Sequence, residues 1–282
     1  MDAAQSLNES DFNRLSRFIE SEYGIKMPSV KKTMLESRLL KRLRKLQIPD
    51  YKQYCDYLFS PEGRKEEIPN FINKVTTNKT DFFREPDHFT YLSQFILPKL
   101  LSRPGSSNRH LKIWSAGCSS GEEAYTLAMV ISEYMEKNPN SAANFSILAT
   151  DISEDVLSMG RKAVYDSSRI EPIPISLRKK YLLKSRDRSS SIVKMAPEIR
   201  KRATFRKLNS MDRDFGMKED IHIVFCRNVI IYFNKETQES ILNKIIKNLV
   251  PQGYLFQGHS ESVQGMSLPL KPIHPTIFKK AQ

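Results

Sequence analysis

Hydrophobic spacing in this chain changes period part way along. From Ser10 to about Asn73 apolar residues return every three or four positions, as in Phe12, Leu15, Phe18 and Ile19, and again in Leu35, Leu39, Leu43 and Leu46. Gly24, Pro28 and Pro49 break this pattern, which predicts several short helices in a small all-α domain over residues 1–75. After Leu111 the apolar residues gather instead into short runs: 111–116, 145–150, 203–208, 221–226, 253–258 and 276–280. Helix-like segments such as 122–136 and 237–249 separate them. Alternation of this kind predicts an α/β domain over 91–282 with a mostly parallel, doubly wound sheet, joined to the helical part by a linker over 76–90. One stretch, about 165–202, carries Pro172, Pro174, a basic run at 178–180 and a polar tip from Lys184 to Ser191. It predicts a small antiparallel β subdomain inserted in the sheet domain.

Charge and cysteine usage narrow the function classes. Among 282 residues, 45 Lys and Arg oppose 32 Asp and Glu, a net charge of +13 that favours an acidic partner, either nucleic acid or protein. No run approaches the ~18 apolar residues of a membrane span, and the N-terminus lacks the basic start and apolar stretch of a secretory signal, so a soluble cytoplasmic protein is expected. Cys55, Cys118 and Cys226 are too widely spaced for a zinc motif or a disulfide framework, and are expected as reduced thiols with no metal.

Ile113 to Glu123 reads as a strand, a small-residue turn and a helix start, where Gly117 and Gly121 allow close approach of a ligand to backbone N–H groups. The turn has neither GxGxxG spacing nor a P-loop ending, which disfavours NAD and ATP, and by itself it could be a plain tight turn. Asp151, closing the next predicted strand, could accept both hydroxyls of a ribose or simply cap the helix beginning near Glu154. The two features together favour an adenosine pocket. On spacing alone Phe82 and Phe83 read as anchors of the linker with Arg84 solvated; the functional reading instead puts Asn78, Thr80 and Arg84 on the rim of that pocket. Arg227 and Asn228 would lie at the carboxyl edge of the sheet, where ligands bind in open α/β folds. His259 and Glu261 read as structural turn residues.

The segments TNKTDFFRE, IWSAGCSSGEEAYTLAM, ATDIS, FCRNVIIYF and GHSES, in this order, resemble the CheR family of chemoreceptor methyltransferases over nearly the whole chain. The resemblance implies a Rossmann-like class I S-adenosylmethionine-dependent methyltransferase fold behind the all-α domain. It also implies O-methylation of glutamate side chains on methyl-accepting chemotaxis receptors, with S-adenosylhomocysteine as product and no metal. Carried over by motif, cofactor contacts fall on Asn78, Thr80, Arg84, Glu123, Asp151, Leu208, Asn209, Arg227 and Asn228, with Glu122 the alternative to Glu123. Asp151 would hold the ribose and Asn209 the adenine edge, while Arg84 and Tyr232 would act at the reacting groups.

Lys31, Arg38, Lys41, Arg42 and Lys45 fall on one face of a helix whose adjoining face carries the leucines. Such a stripe is either a solvated face or, as the resemblance implies, the dock for an acidic receptor coiled coil. The hairpin tip lacks the glycines of family members that bind a receptor tether peptide, so no dependence on a tether is expected. A monomer is expected. The competing readings are a nucleic-acid methyltransferase of the same fold and a non-catalytic receptor-binding adaptor. Against the first, no Asp/Asn-Pro-Pro-Tyr follows the fourth predicted strand, and Cys226 lacks a preceding proline; against the second stand the intact pocket residues.

Overall fold

A computed structural model describes residues 6–102, 110–139, 144–187, 189–217 and 220–281. Five helices lead: α1 (Glu9–Tyr23), α2 (Lys32–Leu46), α3 (Tyr51–Phe59), α4 (Pro61–Glu66) and α5 (Ile68–Val75). Their starts are set locally. Asn8, Asp50 and Ser60 each accept a backbone N–H of the first turn, and Pro61 occupies a first-turn position where no donor is lost. Gly24 ends α1 with φ 69°, and a Cβ there would lie 2.6 Å from Met211 Sδ, so both conformation and space call for glycine. Phe12, Leu15, Ile19, Leu35, Leu39, Leu43, Tyr54, Leu58 and Phe71 share one buried cluster.

The basic stripe does not form as one exposed face. Residues 35, 39 and 42 are spaced i, i+4, i+7, which turns Arg42 inward beside the leucines, where it is 5% exposed. Its Nε donates to Glu67 Oε1 at 2.9 Å, and the Tyr54 hydroxyl donates to the same oxygen at 2.9 Å. Arg42 is therefore a core residue and not a docking residue. Lys31 lies in a 3-10 turn (Ser29–Lys31) ahead of α2. Arg38 reaches back to close α5, donating to the carbonyls of Lys74, Val75 and Thr76 at 3.3, 2.6 and 3.2 Å. Only Lys41 and Lys45 of the five are exposed.

After the linker, α6 (Pro86–Tyr91), a π-turn (Leu92–Ile96) and α7 (Leu97–Leu101) run end to end. The sheet domain then follows as β1 (His110–Ala116), α8 (Glu122–Lys137), β2 (Asn144–Asp151) and α9 (Glu154–Lys162). Next come β3 (Val164–Asp166), α10 (Ile175–Tyr181), β4 (Leu182–Lys184), β5 (Ile192–Met195) and α11 (Pro197–Arg200). The chain ends with β6 (Ala203–Lys207), β7 (Ile221–Cys226), α12 (Lys235–Lys247), β8 (Leu249–Gln257), β9 (Leu270–His274) and β10 (Ile277–Lys280).

The seven-stranded sheet has the order β6-β2-β1-β7-β8-β10-β9, parallel from β6 to β8 and antiparallel at β10. Strand alternation feeds two cores: Leu111, Ile113, Ile223 and Phe225 face one, while Trp114, Ala116, Val224 and Cys226 face the other. Each predicted run is a strand, and β9 is the strand that periodicity did not predict. Its Pro272 argues against a central strand and is tolerated here because β9 lies at the sheet edge. The inserted subdomain is the antiparallel sheet β3-β5-β4. In its tip Asp187 Oδ1 accepts the Ser189 N–H and hydroxyl at 2.9 and 2.7 Å, and no described residue there has a positive φ. Arg188 of that tip lies outside the described residues. All three cysteines are buried and free; burial pushes the Cys55 thiol up to about 12 and Cys118 and Cys226 well above the usual thiol range.

Candidate functional site

The chain leaves β1 towards β2 on one side and reaches β7 on the other, so strand order reverses between β1 and β7. At the carboxyl ends of these strands lies a cavity of about 320 Å³. Asn78, Thr80 and Arg84 of the linker line it, with Glu123, Asp151, Leu208, Asn209, Arg227, Asn228 and Tyr232. Lys31 lines it too, whereas Arg38, Lys41, Arg42 and Lys45 do not. Thus all the residues singled out for cofactor contact or reaction border one space.

Its floor is the turn after β1. Gly117 and Gly121 have φ of 76° and 94°, and a Cβ on Gly117 would stand 2.3 Å from Val229 Cγ2. Thr150 O accepts the N–H groups of Gly117 and Cys118 at 2.8 and 2.9 Å, which fastens this turn to the end of β2. Asp151 Oδ2 accepts the Ser119 N–H at 2.9 Å and Oδ1 the Ser153 N–H at 3.0 Å. The helix cap is Ser153, not Asp151. Burial raises Asp151 from its ordinary value, against the pull of the backbone N–H groups that hold it. Ser119 also donates its hydroxyl to Asn78 O at 2.8 Å, tying the linker to the turn.

Glu123, rather than Glu122, borders the cavity. Its carboxylate accepts the Ser115 hydroxyl at 2.6 Å and Arg227 Nη1 at 3.3 Å. Arg227 is 6% exposed and bridges Glu123 to Glu85, whose Oε2 accepts Arg227 Nη2 at 2.9 Å. Burial raises Glu123; it would raise Glu85 as well, but the Arg227 charge and hydrogen bond, with the His259 N–H, bring Glu85 below the ordinary value. Arg84 is half-buried, donating to Lys79 O at 3.3 Å. Tyr232 sits 5.9 Å from Lys31 Nζ across its ring, and its carbonyl accepts the Lys26 N–H at 2.8 Å. Asn209 uses both ends of its amide, donating to Glu22 O at 2.9 Å and accepting the Met211 N–H at 3.0 Å.

Glu261 is the turn residue expected: it accepts the N–H groups of Gly258, Val229 and Ile230 at 2.7, 2.8 and 2.9 Å and so shapes the segment carrying Asn228. Phe82 is buried 5.0 Å from the Tyr165 ring and anchors the linker as expected. Glu85 was within a recognised segment but carried no assigned task; its partner Arg227 is 142 residues away, beyond any local signal. The cavity walls contributed by Tyr23, Ile25, Met27 and Met34 were also missed, since on helical spacing they read as ordinary domain core. Among the described residues one group, Glu85, His88 and His259, offers ligand atoms within 4.8 Å of one another. The Arg227 guanidinium, 2.9 Å from Glu85 Oε2, already places a permanent positive charge against that carboxylate.

The SAM binding domain model of the CheR methyltransferases matches residues 78–278, and the all-alpha domain model of the same family matches 10–76. A chemotaxis protein methyltransferase of Borreliella burgdorferi is 38% identical over 278 residues, 98% of this chain and 95% of that protein. Chemotaxis protein methyltransferase 2 of Pseudomonas aeruginosa is 32% identical over 96% of this chain and 93% of its own length. The chemotaxis protein methyltransferase of Escherichia coli is 31% identical over 91% and 86%. On this pocket, this sheet and these matches over nearly its full length, the chain belongs to the CheR family of methyltransferases.

Proposed function

We propose that the protein transfers methyl groups from S-adenosylmethionine to glutamate side-chain carboxylates of methyl-accepting chemotaxis receptors, forming methyl esters and releasing S-adenosylhomocysteine. The observation that carries this reading is the convergence on one cavity of the nine residues that the family pattern assigns to the cofactor, Arg84 among them, with Lys31 and Tyr232 beside them. The donor set fits the ligand. Asp151, oriented by two backbone N–H groups, suits vicinal ribose hydroxyls, and Glu123 suits an ammonium. With the Asn209 side chain committed to Glu22 and Met211, contact with an adenine edge falls to the backbone around Leu208 and Asn209.

S-adenosylmethionine supplies a methyl carbon whose bond to a positively charged sulfur breaks as a carboxylate oxygen bonds to it. A glutamate with a pKa of ~4.3 is already an ionised nucleophile at neutral pH, so no general base is needed. Orientation and exclusion of water are the protein's tasks, which in favourable cases lower a barrier by roughly 7–11 kcal/mol. Arg84 would fix the incoming carboxylate by charge-assisted hydrogen bonds, and the Tyr232 hydroxyl would orient it. Lys41 and Lys45 would steer an acidic receptor helix to the all-α domain. The reading places a monomeric enzyme in the cytoplasm.

Nucleic acid is disfavoured as substrate by the chemistry after β7. Arg227-Asn228-Val229 offers no clamp for an exocyclic amine, and burial holds the Cys226 thiol far from the thiolate form that a cytosine-methylating nucleophile requires. Incubation with radiolabelled S-adenosylmethionine and a receptor cytoplasmic fragment should give label released by mild base. Base-stable label, or label on RNA instead, would overturn the reading. Arg84→Ala should lose turnover more than S-adenosylhomocysteine affinity; equal losses would contradict its assigned role.

A further inference from the structure

The accessory β subdomain reaches the turn beside the pocket through Arg169 and Tyr165. Arg169 lies in the 3-10 turn Ser167–Ile170 that follows β3, and its Nη2 forms an ion pair with Glu122. Glu122 opens α8 and its side chain is 0% exposed, against 33% for Arg169. The same nitrogen lies 3.4 Å from Ser120 Oγ and 3.5 Å from Thr80 O, while Ser120 donates its hydroxyl to Glu122 Oε2 at 2.8 Å. From β3 itself, the Tyr165 hydroxyl donates to Ser120 O at 2.8 Å. Ser119, the next residue back, holds Asp151 and Asn78. A single guanidinium nitrogen thus meets a carboxylate, a hydroxyl and a carbonyl from the helix start, the turn and the linker.

We propose that Arg169 is a positioning residue through which the accessory subdomain holds the Ser119–Ser120 turn and the Thr80 segment in the arrangement that accepts the cofactor. The proposal rests on the methyltransferase reading and adds to it a residue that lines no part of the cavity. Glu122 is a fully buried carboxylate, favoured by its place at a helix N-terminus but costly to hold without a cation. The charged and titratable groups around it are Arg169, Asp81, Tyr165 and Cys118. Of these only Arg169 stabilises its ionised form; burial, and then Asp81, oppose it. With Arg169 gone, the turn would be in place only when Glu122 carries a proton.

The test is calorimetric binding of S-adenosylhomocysteine from about pH 6 to about pH 8, where Arg169→Met should bind more weakly than wild type and lose up to about tenfold in affinity per pH unit. The pair Glu122→Gln with Arg169→Met removes both charges and should recover affinity and flatten the profile. A merely structural loss would not be rescued by a second substitution or follow pH. Wild-type affinity for Arg169→Met at every pH, or a double variant no better than the single one, would overturn the proposal. Should Arg169→Met fail to fold, Arg169→Lys keeps the charge on a shorter side chain that does not reach as far as Nη2, and weaker binding at an unchanged melting temperature is expected; unchanged binding overturns the proposal. Failure of the wild-type protein itself to bind the nucleoside would instead overturn the methyltransferase reading.

Discussion

Arg42 offers the sharpest test of how the all-α domain uses its charges. In Arg42→Ala the Glu67 carboxylate, 2% exposed, keeps only the Tyr54 hydroxyl at 2.9 Å and loses its cation. Removing one partner of a buried pair leaves an uncompensated charge and costs about 3–5 kcal/mol, far more than the ~0–1 kcal/mol of an exposed pair. The core leaves little room for relaxation, since Leu39, Leu43 and Tyr54 in the same domain are all at most 1% exposed. Replacing both residues, as Arg42→Leu with Glu67→Leu, removes the charge problem and should recover most of that loss. Urea unfolding of the three variants gives the free energies, and receptor methylation measured well below the transition should show a Michaelis constant close to wild type for Arg42→Ala. A loss below about 1 kcal/mol, or a raised Michaelis constant in a fully folded variant, would refute the assignment to the core.

At the exposed end of the same helix, Lys41→Glu with Lys45→Glu should raise the Michaelis constant for a receptor fragment, less so at high salt, while S-adenosylhomocysteine affinity stays unchanged; salt-independent or unchanged kinetics would count against docking there. Gly117→Ala adds a Cβ 2.3 Å from Val229 Cγ2 at φ 76°, and should weaken cofactor binding. The left-handed backbone costs about 1–2 kcal/mol and the overlap about 1–3 more, so adding Val229→Ala should relieve only the second part, as calorimetry and thermal melts can show. His88, 1% exposed, is lowered from 6.5 to about 4, first by burial and then by Arg227. Because the folded state then holds the proton more weakly than the unfolded chain, this stabilisation is complete above 6.5 and disappears as pH falls towards 4. Roughly 3 kcal/mol should be lost across that window, and His88→Gln should flatten this part of the urea-stability profile; an unaltered slope would refute it.

Several elements were legible because their cause is local. The helix beginning at Glu122 follows from a glycine in the left-handed region and two acids in the first turn, and β1, β2 and β7 follow from short, mainly apolar runs. Edge strand β9 was not legible, because Pro272 weakens the strand signal and only its place beside β10 makes it acceptable. The pocket residues were named from motifs, but spacing could not separate Glu122 from Glu123. Successive helical residues differ by about 100° in direction, and what waits in each direction, Arg169 for one and Arg227 for the other, is set by distant parts of the chain.

By itself, then, the sequence determined the two architectures and the turn after β1, since period and glycine act over a few residues, while the set of residues that meet at the sheet's carboxyl edge came from motifs that resemble a known family. Only the tertiary structure decided which charges are solvated and which are committed. A stripe of five cations on paper became one buried pair at Arg42, one carbonyl clamp at Arg38, one pocket wall at Lys31 and two exposed lysines, Lys41 and Lys45. The reason is that the cost of a charge depends on its desolvation and its counter-ion, and both are supplied by residues far away in the chain.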